Sequence, residues 1–369
     1  MASSVFKLPA RADHVGSLLR PPELTHAFRQ RAKDEIDETT FVAIQDTAIR
    51  DVIALQEDAG LKAITDGEFR RASYWYRFVE RVDGLEVRDA VFTFHDDCGH
   101  EAAFTAPHVA GKVRRTRPVA EDEYQFVRAH TSQTPKITLP SPPSMHFWRL
   151  NQGIDADAYD GMEPFFDDLA TVYTEEINHL ASLGATYVQC DDVPLAMLCD
   201  AAIRDQVTAA GLDPAKLLDA YVDLFANSIG NRPGGMVAAV HLCRGNFKGK
   251  FLSEGGYEDV AQKLFNDIPA DAFFLEYDTD RAGDFEPLRF VPKDKCVVLG
   301  LVSSKSPEME KEDDLIRRIE EATKYIDLDQ LAISPQCGFA STVGGNPVTM
   351  DDERAKLALL VRVAERVWG

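Results

Sequence analysis

The chain has 369 residues, 45% hydrophobic and 27% charged, an ordinary globular make-up long enough to bury one large core or two small ones. A formal net charge of −21 argues against nucleic acid and anionic membranes as partners, because a phosphate surface rewards lysine and arginine. Six cysteines (98, 190, 199, 243, 296 and 337) are too sparse for a disulfide scaffold, so reduced thiols able to bind metal are expected. Residues 1–9 lack the apolar stretch of a signal peptide and no run approaches a membrane span, so a cytoplasmic location is expected.

In chain order, residues 12–18 read as a short strand ended at Arg20-Pro21-Pro22. Phe41, Ile44, Ala48, Val52 and Leu55 recur at helical spacing, with Gly60 where that helix stops. Residues 61–65 follow as a strand ending in Asp66-Gly67-Glu68, and strand, helix, strand is the crossover unit of a parallel sheet. From about 82 to 130 the rhythm breaks into alternating stretches, such as Leu85-Glu86-Val87 and Tyr124-Gln125-Phe126-Val127, which predict an inserted antiparallel β-hairpin. Cys98-x-His100 inside it reads as a turn rather than a ligand pair.

The rhythm resumes with a strand at 136–139, stopped by Pro140-Ser141-Pro142-Pro143. A long helix carries Phe166, Leu169, Tyr173, Ile177 and Leu180 in register and closes at Gly184. A strand at 185–192 and two helical stretches between about 195 and 230 come next, then the strand 236–243. A helix near 257–267, strands at 273–277 and 296–302, and a helix with Leu315, Ile319, Ala322 and Ile326 follow. The last strand covers 331–334, and Thr349-Met350-Asp351-Asp352 opens the final helix like a capping box.

Eight strands, most followed by a helix and with no repeat or linker between them, predict an α/β fold: one (β/α)8 TIM barrel domain over residues 1–369. An open doubly wound sheet would gather its polar residues near one switch point. Here Ser17, Glu68, Asp191, His241, Cys243, Glu276, Lys305 and Cys337 all fall at the C-terminal ends of strands, where barrels keep their chemistry.

His241 and Cys243 are two apart on a strand and so project from the same face. With Glu276 and Cys337 from two other strand ends they make a soft tetrahedral donor set suited to Zn2+. The two cysteines read equally well as small buried hydrophobes. Asp66 and Glu68 also suit the cap of a following helix, and Arg70 and Arg71 suit either a solvated surface or a substrate anion. His14, three residues before Ser17, suits a base or substrate contact at the mouth, or packing against the rim.

His241-x-Cys243, Glu276 and Ser-Pro-Gln-Cys337-Gly occur with Val15-Gly16-Ser17, Asp66-Gly67-Glu68 and Gln189-Cys190-Asp191-Asp192. Together and in this order they resemble the catalytic barrel of cobalamin-independent methionine synthase, in its short single-barrel form, from about residue 12 onward. The resemblance implies zinc held by His241, Cys243, Glu276 and Cys337, with the substrate thiol as a further ligand. It also implies that Glu68 and Asp191 hold the amino group of homocysteine and that Ser17 lies near its carboxylate. Coordination would turn a thiol of pKa about 8.5 into a thiolate nucleophile.

Two departures separate the chain from the family's full-length enzymes. Where those carry a catalytic His before a Ser-Pro pair, this chain reads Ser303-Ser304-Lys305-Ser306-Pro307, so either Lys305 stands in as a cation or the acid role is gone. Where they stack a pterin on Trp, it has Pro140-Ser141-Pro142, with Trp148 nearby in sequence. The thiol-activating half therefore matches more fully than the methyl-donor half. Expected partners are a small thiol, homocysteine first, and a methyl donor; an epoxide-opening transferase acting on coenzyme M and a non-catalytic metal-binding barrel are the competing readings.

Overall fold

The computed structural model describes residues 6–95 and 101–369. In chain order its strands are β1 (Ala63–Ile64), β2 (Asp83–Asp89), β3 (Phe94–His95), β4 (Glu101–Ala102), β5 (Thr105–Arg114), β6 (Thr134–Pro135) and β7 (Ile137–Pro140). Then come β8 (Tyr187–Asp192), β9 (Val237–Leu242), β10 (Ala272–Glu276), β11 (Cys296–Val302) and β12 (Leu331–Pro335). β7 to β12 form one sheet in the order β12-β11-β10-β9-β8-β7, every pair parallel. β1 pairs in parallel with β6, which runs directly into β7.

This sheet is apolar along its length because both faces are covered, and β11 is buried at all seven positions. Alternation divides its side chains between two cores. Tyr187, Ala239, Phe274, Val298 and Ala332 gather on one face with Val15 and Ala63. Val188, Val240, Phe273, Val297 and Ile333 lie in the larger core that includes the helices. At the edges, the Asp13 amide donates to Ile333 O (3.0 Å) and the Ile333 amide to Arg11 O (2.8 Å). Further along the same opening segment, Thr65 Oγ1 donates to Gly16 O (2.7 Å) and the Leu18 amide to Gly67 O (3.1 Å).

Helices lie where apolar spacing placed them. Glu38–Asp58 starts on an Asp37 cap and Met162–Ser182 carries the Phe166 stripe; Gly60 and Gly184 follow with φ of +92° and +98°, a left-handed stop that glycine adopts at no steric cost. The capping box at Thr349 is present, with Thr349 Oγ1 accepting the Asp352 amide (3.1 Å) and Asp352 Oδ2 accepting the Thr349 amide (2.9 Å). Among the described residues no helix is long and apolar enough to cross a membrane.

Three expectations need correction. Residues 121–130 are a helix rather than the end of a hairpin: Glu121, Asp122 and Glu123 sit at its positive N-terminal end, and Tyr124 and Val127 bury one helical face. Four residues of alternation were too few to tell the periods apart. The antiparallel pairing is confined to β2 with β5 and β3 with β4, and Cys98-x-His100 lies outside the described residues. The opening strand shrinks to a single bridge, Ala12 to Ile333, and the next to two residues, because the chain there bends through Gly16, Gly67 and Glu68, all with positive φ. The break expected at Arg20-Pro21-Pro22 is there, and what was not foreseen is that Pro22 starts the helix Pro22–Arg31, for which a fixed φ and a missing donor are no handicap.

The final helix is tied to the opening segment by Glu353, fully buried, whose Oε2 accepts the Leu19 amide (2.8 Å). Burial lifts this carboxyl to about 8. The folded protein therefore keeps a proton that the unfolded chain releases above about pH 4.3, and stability falls as pH rises from there through about 8. Glu353→Gln is expected to flatten the decline in urea midpoint between pH 5 and 8, and an unchanged slope would contradict the assignment.

Candidate metal centre and its cavity

His241 is the last residue but one of β9, and the pleat carries Cys243, two residues on, to the same side; the Cys243 amide donates to Asp192 O at 2.7 Å, prolonging the register with β8. Glu276 is the last residue of the neighbouring β10, and Cys337 follows the end of β12 by two. All four side chains are buried, and one donor atom from each lies within 4.8 Å of the others. The two sulfurs are 3.3 Å apart.

The donor set suits a metal ion. Bonds of about 2.0–2.3 Å to a tetrahedral zinc put donor atoms roughly 3.3–3.8 Å from one another, a spacing these atoms bracket. Oε1 of Glu276 is buried with no hydrogen-bond partner, and neither ring nitrogen of His241 has a nitrogen or oxygen partner, only the Cys337 thiol beside the ring. Groups of this kind cost free energy when left unsatisfied, and an ion among them removes that cost. Contact with Cys243, then His241 and Lys305, draws the Cys337 thiol well below its ordinary value, whereas contact with Cys337 and burial push Cys243 well above. One thiol of the pair is thus already disposed to be an anion. Burial lifts Glu276 to about 7 against the pull of Lys305.

A cavity of about 490 Å3 opens onto His241, Cys243 and Cys337 and is also lined by Ser17, Glu68 and Asp191. Glu68 accepts a hydrogen bond from Thr138 Oγ1 (2.7 Å) at Oε1, while its Oε2 is buried without a partner. Burial raises its pKa. Asp191 accepts from Gln189 Nε2 (2.6 Å), and burial, then the Glu68 charge, lifts it to about 7. The segment after Cys337 passes so close to Ser17 that a Cβ on Gly338 would lie 1.9 Å from Ser17 Oγ, so any larger residue there would have to turn the Ser17 hydroxyl out of its place. Six aromatic side chains also line the cavity: Tyr74, Trp75, Tyr76, Phe104, Trp148 and Phe247.

Seven of the nine expected site residues thus meet at or beside one cavity, Glu276 closing the donor set just behind it. Lys305 does not line the cavity; it is half-buried, donates to Gly245 O at 3.1 Å, and acts on Glu276 and Cys337 through its charge. His14 does not reach the cavity either. Val15 and Ser17 face it, so alternation turns His14 away, where burial lowers it to about 4 and its carbonyl accepts Lys136 Nζ.

The spacing of the chain gave little sign of what supports the carboxylates. Arg71 is buried, donates twice to Glu123 (3.0 and 2.7 Å) and reaches Glu68 Oε1 at 3.5 Å. Buried Arg20 donates to the carbonyls of Glu68 and Arg71, both at 2.8 Å, bracing the same turn. These arginines neutralise the protein's own carboxylates rather than a substrate's; the Glu68 to Arg71 spacing of three was the one legible clue.

A parallel α/β sheet thus carries, at the carboxyl ends of its strands, four buried donors that could hold a metal ion, and comparison with known proteins narrows the class. The family described as cobalamin-independent synthase, catalytic domain, matches residues 11–366. YxjH of Bacillus subtilis, described as an uncharacterized protein, is 38% identical over 366 residues, spanning 98% of this chain and 96% of its own. A methionine synthase of Pyrococcus abyssi is 25% identical over 327 residues, 88% of this chain and 85% of its own. A Listeria monocytogenes protein solved as a structural-genomics target superposes with a TM-score of 0.77 at 32% identity, covering 99% of each chain. The chain belongs to the cobalamin-independent methionine synthase family, a family of methyltransferases.

Removing the Arg71 partner by Glu123→Ala is expected to cost about 3–5 kcal/mol in denaturant titration, because it strands a buried charge. Lys293→Ala, which breaks an ion pair with Asp327 whose side chains are 76% and 66% exposed, should leave the transition where it was. Equal effects from the two would contradict the distinction.

Proposed function

We propose that this chain is a zinc-dependent thiol S-methyltransferase that converts homocysteine to methionine, built as one (β/α)8 barrel domain with β2 to β5 as an insertion. What carries the reading is the convergence of His241, Cys243, Glu276 and Cys337 within 4.8 Å at the end of a cavity that also holds two carboxylates. Barrel closure is supported by the hydrogen bonds that link residues 11–18 to β12 on one side and to Thr65 and Gly67 on the other. Cys190, Cys199, Cys243 and Cys337 form no disulfide, which fits a reducing, cytoplasmic setting.

A zinc ion held by the four side chains would supply the positive charge that keeps an incoming sulfhydryl ionised at neutral pH. The chain does the rest. Glu68 Oε2, buried and without a partner, and Asp191 offer charge-assisted acceptors to the ammonium of an amino-acid thiol, and the Ser17 hydroxyl donates to its carboxylate. Fixing the amino acid at two points aims its sulfur and converts an encounter into a positioned displacement. The aromatic wall excludes water, which strengthens each of these contacts. Lys305, near Glu276 and Cys337, offsets the negative charge that gathers there. Two lining carboxylates without a lining lysine or arginine disfavour a sulfonate thiol such as coenzyme M.

Freshly purified protein should contain one zinc per chain by mass spectrometry. Cys337→Ser should lose both metal and methyl transfer; a fully active, metal-free variant would contradict the reading. Glu68→Gln and Asp191→Asn should keep zinc while raising KM for homocysteine about 10- to 100-fold, the value of a hydrogen bond to a charge.

A further inference from the structure

The geometry points to a compact cationic methyl donor, a methylsulfonium or a methylated quaternary ammonium compound, seated on the aromatic wall of this cavity. The inference rests on the thiol methyltransferase reading and names its second substrate. Six aromatic side chains, Tyr74, Trp75, Tyr76, Phe104, Trp148 and Phe247, line the space. Phe104 meets Trp148 edge to face, with centroids 5.3 Å apart, and Trp75 lies 6.0 Å from Tyr76, so four of the rings lie in two pairs. Faces of this kind attract methylated cations, whose charge is spread over the methyl groups.

Glu68 and Asp191 are taken up by the homocysteine ammonium on the proposed reading, so what bears on the donor is the cavity's lack of a lining cation among the described residues. Apart from the metal-site residues its charged side chains are Glu68 and Asp191, and among the described residues no lysine or arginine lines it. A donor with an anionic tail would need a cation at the exit. The shallow groove that adjoins the cavity at Thr105 has two arginines, both engaged. Arg88 grips Asp155 with two hydrogen bonds (3.1 and 3.0 Å), and Arg149 donates to Asp89 O. The lining itself, aromatic and without a lysine or arginine among the described residues, therefore suits a small cation better than a polyanion.

The chemistry balances without a further reagent. The thiolate sulfur forms a bond to the methyl carbon as the bond from that carbon to the onium centre breaks. The electron pair returns to the departing sulfur or nitrogen, which leaves neutral, and the thiol's proton is released to solvent. A neutral leaving group needs no proton from the protein.

The test uses the zinc-loaded full chain with homocysteine and three donors bearing a deuterated methyl group: S-methylmethionine, glycine betaine and 5-methyltetrahydrofolate triglutamate. Labelled methionine is read by mass spectrometry, and calorimetry measures zinc and homocysteine binding separately. Labelling from S-methylmethionine or glycine betaine is expected, and whichever works says whether the onium centre is sulfur or nitrogen. Trp148→Leu should raise KM for that donor about tenfold, several times more than any change in KM for homocysteine. Tyr76→Leu, at a residue 40% exposed, carries the same expectation should Trp148→Leu not fold. Labelling from the folate alone, or from no donor while zinc and homocysteine still bind, overturns the inference and leaves the thiol-binding site standing. Failure of zinc or homocysteine to bind overturns the thiol methyltransferase reading, and the inference with it.

Discussion

Four buried donor atoms that repel or desolvate one another when left alone are the constraint on which the rest of this molecule depends. An imidazole, two thiols and a carboxylate within 4.8 Å, all shut away from water, make an expensive arrangement unless a cation sits among them. The proton accounting of the two sulfurs shows the strain: contact drives Cys337 toward the anion and Cys243 away from it. Register makes the convergence possible. With β9, β10, β11 and β12 adjacent and parallel, the end of β10 lies beside that of β9, and the turn after β12 returns Cys337 to the same point.

Around that centre the cavity has two sides with different chemistry. The polar side is braced from behind: Arg71 and Glu123 hold Thr138 and Glu68, and Gln189 fixes Asp191. Preorganised carboxylates of this kind meet an ammonium at low reorganisation cost. The aromatic side has no cation of its own among the described residues, and on the proposed reading this would sort donors by charge as well as by shape.

The parts legible from the chain were those set by local period and strand ends. β8 to β12 followed from apolar runs bounded by Gly, Pro and Asp, and the four donors from their places at strand ends. Parity worked for His241 and Cys243, and the same rule, applied to Ser17, would have turned His14 away from the cavity. What stayed illegible is non-local. Glu123 reaches Arg71 across 52 residues, and the aromatic wall is collected from segments near 75, 104, 148 and 247, which no spacing links. The helix 121–130 was misread because four residues are too few to separate a period of 2 from one of 3.6.

X-ray absorption at the zinc edge interrogates the donor cluster directly. The account predicts a shell with two sulfurs at about 2.3 Å and nitrogen or oxygen donors near 2.0–2.2 Å, gaining a third sulfur when homocysteine is added. A shell without sulfur, or one that homocysteine leaves unchanged, would contradict it.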